Sequence, residues 1–311
     1  MAEELSTNEI KGILDQIHAE GCLEVTFSGG EPLLREDFLD IYLYAKRKGF
    51  LIDIFSNGIL FTGEKIEFFQ KCPPRSIEIT LDGISKDTYE AITQAEGSFD
   101  RVMSNIMEMS RRNLPLVLKA SCLKQNKREI AKIKAFTAEI FGRDKKRFKF
   151  DQYICPRLNK DKTPCKHRLS PCELKEVIES DSEIYAEAEQ GLKSEYGLTR
   201  GKEFLYHCNT WLTHFFVNPF GRLKFCLFTE DFSMDLKKGS FKEGFYNLFP
   251  QLLKAKFESN SECKDCKLRP HCFHCPARAH LETGDRESPV PYFCELAKAY
   301  LKYKGNQKNR R

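Results

Sequence analysis

The sequence predicts an α/β fold: an open or partial parallel barrel over the first half, then a small α+β domain built around cysteines. Three observations predict it. Short apolar runs alternate with helix-length amphipathic stretches from Thr7 to about Ile154, tight polar loops come after those runs, and seven of the thirteen cysteines gather between Cys208 and Cys294.

Ser6 or Thr7 caps a first helix reaching Glu20, with Ile10, Ile13, Leu14 and Ile17 on one face, and Glu9 completes a capping box if Ser6 is the cap. Leu23 to Phe27 reads as a buried strand, and a second helix from about Asp37 to Lys48 ends at Gly49. Phe50 to Phe55 is the next strand, stopped by Ser56-Asn57-Gly58. Lys65 to Lys71 reads as helix, Ser76 to Leu81 as strand, and further helices run to about Arg112. Leu116 to Ser121 is a strand, Lys127 to Phe141 a helix and Phe148 to Ile154 a strand. Helices between successive strands demand right-handed crossovers, so the sheet is parallel and ligand-bearing loops lie at its carboxyl ends. Five strands are too few for a closed eight-stranded barrel.

After Ile154 the character changes. Pro156 to Pro171 is a polar, proline-bearing connection, and Cys172 to about Leu192 is an acidic helical stretch. The expected organisation is a barrel over 1–160, a linker with a helix over 161–200, a cysteine domain over 201–300 and a basic tail over 301–311.

Composition excludes several classes. With 41% hydrophobic and 31% charged residues the chain is neither disordered nor fibrous. No stretch approaches the roughly 18 apolar residues of a membrane span, and Met1-Ala2-Glu3-Glu4 does not open a secretory signal. The expectation is a cytoplasmic protein with no membrane partner. A net charge of +5 is too small to imply nucleic acid, and the basic tail from Lys302 to Arg311 reads as a solvated terminus.

Three loops can bind a small molecule. After the first strand comes Ser28-Gly29-Gly30-Glu31-Pro32, where glycines admit close approach of backbone and Glu31 can meet an ammonium. After the second and third strands come Ser56-Asn57-Gly58 and Thr80-Leu81-Asp82-Gly83. Each alone is ordinary turn chemistry. On one rim of one sheet, they favour a ligand carrying amine and hydroxyl groups.

The cysteines are the stronger signal. Cys263-Lys264-Asp265-Cys266 precedes Cys272-Phe273-His274-Cys275, and two residues between cysteines let both thiolates converge on one metal. Zinc is the rival to iron-sulfur here, since four cysteines close a tetrahedral site. Cys208, Cys226 and Cys294 exceed what one zinc uses. Between the first two, Phe215-Phe216-Val217 and Leu223-Lys224-Phe225 flank Asn218-Pro219-Phe220-Gly221 as a hairpin.

With these residues in view, the chain resembles radical S-adenosylmethionine (radical SAM) enzymes carrying a C-terminal SPASM domain. The domain's signature reads here as Cys208, Gly221, Cys226, Cys263, Cys266, Cys272, Cys275 and Cys294, with two residues rather than three between Cys272 and Cys275. The resemblance implies two auxiliary four-iron four-sulfur clusters: Cys208, Cys226 and Cys275 on the first, Cys263, Cys266, Cys272 and Cys294 on the second. The first is one ligand short, and His207, Cys155, Cys165, Cys172 or an open iron are the alternatives. The resemblance also implies that Gly29, Gly30 and Glu31 receive the methionine amino group of S-adenosylmethionine (AdoMet), and that Ser56, Asn57, Thr80 and Asp82 contact ribose and carboxylate. The five strands then correspond to strands two to six of a partial six-stranded barrel.

The family's first strand leads into Cys-x3-Cys-x2-Cys, which holds the cluster that reduces AdoMet and releases a 5'-deoxyadenosyl radical; no such spacing occurs in these 311 residues. The expectation is a cut or misassigned N-terminus, because the nucleotide loops are intact; the alternative is a degenerate protein. By resemblance the chain is expected to be an oxidoreductase or maturase that abstracts hydrogen from a peptide, protein or small-molecule substrate, served by an electron donor such as flavodoxin or ferredoxin. A non-catalytic iron-sulfur electron carrier or docking protein, or a zinc-stapled binding module, are the alternatives.

The remaining candidates read as structural. Cys22, Cys72 and Cys122 are expected as buried thiols, Glu230, Asp231 and Asp151 as solvated acids, and Tyr153 and Tyr206 as packing. His271 and His274 sit where they can tune a cluster's potential through hydrogen bonds. No catalytic acid or base is assigned.

Overall fold

Ser6 starts the first helix as its pattern demands: its hydroxyl accepts the Glu9 N–H while the Glu9 carboxylate accepts the Ser6 N–H, and α1 runs Thr7–Ala19 with Ile13, Leu14 and Ile17 buried. The computed structural model describes residues 4–142, 147–186, 201–208, 213–269, 272 and 274–308. The chain divides into two compact units, one of Leu5–Tyr153 and the other containing Ile154–Arg311.

The first unit is a five-stranded parallel sheet in sequence order, made of β1 (Glu24–Phe27), β2 (Leu51–Ser56), β3 (Ser76–Thr80), β4 (Leu116–Ser121) and β5 (Phe148–Asp151). The connections are α2 (Phe38–Arg47), α3 (Gly63–Lys71), the pair α4 (Lys86–Thr93) and α5 (Ser98–Arg111), and α6 (Ile130–Phe141). Register aligns Ile54 with Ile77 and Ile77 with Leu116, and these residues with Ile52, Ile79 and Leu118 are all 0% exposed. They form the apolar face on which the helices pack, and their burial is the main stabilising term of the unit, about 1.5–3 kcal/mol for each side chain.

Three expectations are corrected. The run from Leu23 is not a buried strand: Leu23 is 73% exposed and β1 begins at Glu24, because this strand pairs only with β2 among the described residues and one side of it meets solvent. Helix α6 starts at Ile130 rather than Lys127, since Asn126 holds the preceding loop; its side chain accepts the Leu123 N–H and donates to the Asp82 and Ser121 carbonyls, each at 2.8 Å. Only Cys122 of the three presumed core thiols is buried, its thiol pushed up to about 12 by desolvation, while Cys22 and Cys72 are partly exposed.

In the second unit α7 spans Pro171–Glu179 behind a Ser170/Glu173 capping box, shorter than the stretch expected from Cys172; Leu192 lies outside the described residues. The hairpin forms as β6 (Phe216–Val217) against β7 (Arg222–Lys224), and β8 (Met234–Asp235) adds a third antiparallel strand that the pattern did not announce. Asn218 makes the turn by accepting the Phe220 and Arg222 N–H groups at 3.0 and 2.9 Å. Buried Leu223, Phe225, Phe249, Leu252, Phe293 and Leu296 form the core. Arg168 ties its parts together through a bidentate pair with Glu282, 2.7 Å on each arm, and a 2.7 Å bond to the Ile154 carbonyl. No helix among the described residues is long and apolar enough to cross a membrane.

Candidate functional site

Parallel pairing puts the carboxyl ends of β1, β2 and β3 on one edge, with Phe27 level with Ile54, Ser56 with Ile79 and Thr80 with Lys119. The three predicted loops therefore share a rim. Gly29 and Gly30 face open space, with nothing within 4 Å of where a side chain would begin. Glu31, which ends this turn, is 8% exposed. Its carboxylate accepts the Leu33 N–H at 3.1 Å, the Asn57 N–H at 2.8 Å and the Ser56 hydroxyl at 3.0 Å. Glu31 thus welds the first loop to the second, a role its position in the sequence does not announce.

The second loop is equally constrained. Ser56 accepts the Gly58 N–H at 3.0 Å, Asn57 accepts the Ile59 N–H at 2.9 Å, and Asn105 donates to the Gly58 carbonyl at 2.8 Å. Gly58 has φ +79°, and a Cβ there would stand 2.8 Å from Val102 Cγ2, so only glycine fits.

In the third loop Asp82 accepts the Ser121 N–H at 2.7 Å, joining the ends of β3 and β4. Burial pushes its carboxyl up to about 6, against the lowering effect of that bond. Sequence reasoning missed the residues that hold this loop: Asn126, fully buried, and Glu129, which accepts the Ile84 and Ser85 N–H groups and the Ser85 and Thr88 hydroxyls at 2.6–3.2 Å. The polar stretch after β4 was the available signal.

The thiols of the second unit differ in which other cysteines perturb them. Burial pushes the Cys226 thiol up to about 11, and the neighbours that raise it further are Cys275 and Cys208. Burial pushes Cys272 up to about 12, with Cys294, Cys263 and Cys266 as its thiol neighbours. Cys263 feels Cys294 and Cys266, and Cys294 feels Cys266. Cys275 is among the thiols that perturb Cys226, while Cys272, three positions earlier, is perturbed by Cys263, Cys266 and Cys294. Among the described residues no group of three or more His, Cys, Asp and Glu side chains is closed on one metal position.

The other candidates are placed as well. Glu230 accepts from Lys224 at 2.7 Å, Asp231 pairs with Arg286 at 3.3 Å and Asp151 with Lys119 at 3.3 Å, so these acids are committed to ion pairs. Tyr206 is buried and its phenol is held protonated by desolvation. His207 shares a hydrogen bond of 2.8 Å with the Phe204 carbonyl; His274 lies 3.1 Å from the Ser288 carbonyl, its pKa lowered by burial. His271 lies outside the described residues.

Residues 1–136 match the radical SAM superfamily. The AdoMet-dependent heme synthase of Methanosarcina barkeri is 24% identical over 94% of this chain and 88% of its own length. The Fe-coproporphyrin III synthase of the same organism is 31% identical, over 42% of this chain and 32% of that protein. Among solved structures, native anSMEcpe with bound AdoMet and Kp18Cys peptide superimposes with a TM-score of 0.69 at 17% identity, covering 97% of this chain and 89% of that one. Streptococcus suis SuiB bound to precursor peptide SuiA gives a TM-score of 0.68 at 16% identity, covering 91% and 68%.

Proposed function

Since the chain carries a radical SAM domain and has the fold of the SPASM-type maturases, we propose that it binds AdoMet on the rim of its parallel sheet and serves hydrogen abstraction from a peptide, protein or small-molecule substrate. The observation that carries this reading is the Glu31–Ser56–Asn57 weld beside the open Gly29-Gly30 backbone. It fixes a hydrogen-bonding rim before any ligand arrives, and preorganisation of that kind raises affinity by lowering the ordering cost.

The residues fit such a ligand. The Gly29 and Gly30 peptides have room for a methionine ammonium and carboxylate to approach, Ser56 and Asn57 supply polar atoms, and Thr80 and Asp82 stand one strand further on for ribose hydroxyls. An ionised Asp82 accepts from a hydroxyl; a protonated one donates. Bound AdoMet would supply the hydrogen-abstracting group on one-electron reduction by a cluster whose Cys-x3-Cys-x2-Cys ligands these 311 residues do not contain.

The second unit offers iron-sulfur clusters a donor set of seven thiols, and the perturbation of Cys226 by Cys275 and Cys208, and of Cys272 by Cys294, Cys263 and Cys266, supports assigning Cys208, Cys226 and Cys275 to one cluster and Cys263, Cys266, Cys272 and Cys294 to the other. Such clusters supply a one-electron path, for which flavodoxin or ferredoxin is the expected donor class.

For the substrate, the peptide held by SuiB and anSMEcpe favours a peptide or protein. The near full-length similarity to a heme synthase favours a small molecule instead. Titration of anoxically purified protein with AdoMet tests the proposal. Saturable binding that is lost in Gly30→Val is expected, and absence of binding would overturn it.

A further inference from the structure

Both faces of a parallel sheet are ordinarily covered and apolar, and the strands then read as continuous hydrophobic runs. Here they alternate. Leu51–Ser56, Ser76–Thr80, Leu116–Ser121 and Phe148–Asp151 set isoleucines and leucines on the helix side and Asp53, Glu78, Lys119, Lys149 and Asp151 on the other.

These charges are organised. Glu78 is the deepest, its side chain 5% exposed; Lys149 Nζ lies 2.6 Å and Lys119 Nζ 3.9 Å from its two oxygens, and Lys119 also reaches Asp151 at 3.3 Å. The exposed layer is Lys149 at 53%, Asp151 at 40% and Lys119 at 30%. Lys149 starts on β5 yet ends 5.7 Å from the Phe55 ring on β2, so its ammonium lies across the floor rather than at its margin. Register places Thr80, Lys119 and Lys149 in one row, level with the third loop of the rim.

Stability does not explain this arrangement. A carboxylate taken out of water among lysines loses hydration that ion pairing only partly restores, and apolar side chains of similar volume would hold the sheet as well or better. Departures from local consistency of this kind concentrate where a protein binds something. An ammonium has three donors, and Glu78 takes one from Lys149, leaving the side that faces solvent. Lys149, pinned by the buried Glu78, and Lys119, set between Glu78 and Asp151, present two cations side by side to an incoming anion.

Resting on the reading of this rim as an AdoMet site, we propose that Lys119 and Lys149 form a subsite for a carboxylate of the substrate, with Glu78 as the positioning residue that holds the Lys149 ammonium and Asp151 the partner that holds Lys119. The source of the carboxylate is the substrate rather than AdoMet, and the test separates the two.

Calorimetric titration of the full chain uses succinate as the dicarboxylate, succinamide as its neutral counterpart and AdoMet in a separate run. Succinate is expected to bind at least about tenfold tighter than succinamide, Lys149→Met and Lys119→Met each to weaken it about tenfold or more, and Lys149→Arg to stay within about threefold of wild type, because only the charge is read. AdoMet affinity is expected to change less than about twofold in all three. Equal binding of succinate and succinamide, no binding of either, or unchanged succinate affinity in both Met variants overturns the subsite. A parallel loss of AdoMet affinity overturns its assignment to substrate and gives the lysines to the cofactor's own carboxylate. Wild-type protein that binds succinate with this lysine dependence but no AdoMet supports the carboxylate subsite while sinking the AdoMet reading.

Discussion

The carboxylate of Glu31 accepts the hydroxyl of Ser56 at 3.0 Å, and through that contact the loops after the first two strands become one rigid rim. Glu31→Ala is expected to leave the Ser56 hydroxyl and the Asn57 N–H without their buried acceptor, costing about 2–4 kcal/mol of stability and most of the AdoMet affinity. Chemical denaturation and AdoMet titration check both. A variant of wild-type stability would show that the weld is dispensable.

Gly58→Ala is expected to destabilise the first unit by about 1–3 kcal/mol, since the new methyl meets Val102 and the backbone sits at φ +79°. Val102→Ala in the same chain should recover part of the loss only, because the backbone strain stays. Full recovery would assign the whole effect to the steric contact.

Asp82 has a folded-state pKa near 6, above the 3.8 of the unfolded chain. The folded state therefore binds more protons between those values, and stability falls as pH rises from about 4 through about 6, by at most about 3 kcal/mol. Asp82→Asn should flatten that slope. If ionised Asp82 accepts from a ribose hydroxyl, AdoMet affinity rises over the same interval in wild type and not in the variant. A pH-independent difference between the two proteins would contradict this.

Cys263→Ala or Cys266→Ala is expected to lower bound iron by about half, and Cys226→Ala to do the same through the other group. Cys122→Ala, in the first unit's core, should leave iron unchanged and cost about 1 kcal/mol in packing. Iron unchanged in Cys263→Ala would sink the grouping.

Much of the sheet was legible in the sequence, and the reasons differ by element. Leu116–Ser121 and Ser76–Thr80 are central strands, apolar enough to be read from periodicity alone. Leu23 misled because an apolar residue beside a strand gives no sign that its sheet edge is open. The polar stretch after β4 gave Asn126 its local bonds to Leu123 and Ser121, but the reach of Asn126 and Glu129 back to the loop at 82–85, about 40 or more residues earlier, is a relation no local pattern encodes. The lysine floor was visible as alternation in LVLKAS and FKFD, yet its link to Glu78 appears only when β3, β4 and β5 are placed side by side. Spacing suggested that each CxxC unit converges on one metal; the thiols that perturb Cys272 are Cys294, Cys263 and Cys266 rather than its near neighbour Cys275, a relation set by the fold between them.

The measurement that decides most is iron and acid-labile sulfide per chain, with zinc counted in the same anoxic sample. About eight irons with about eight sulfides are expected, two four-iron clusters on the seven grouped thiols. About one zinc without sulfide would contradict the iron-sulfur reading and leave a metal-stapled binding domain beside the sheet.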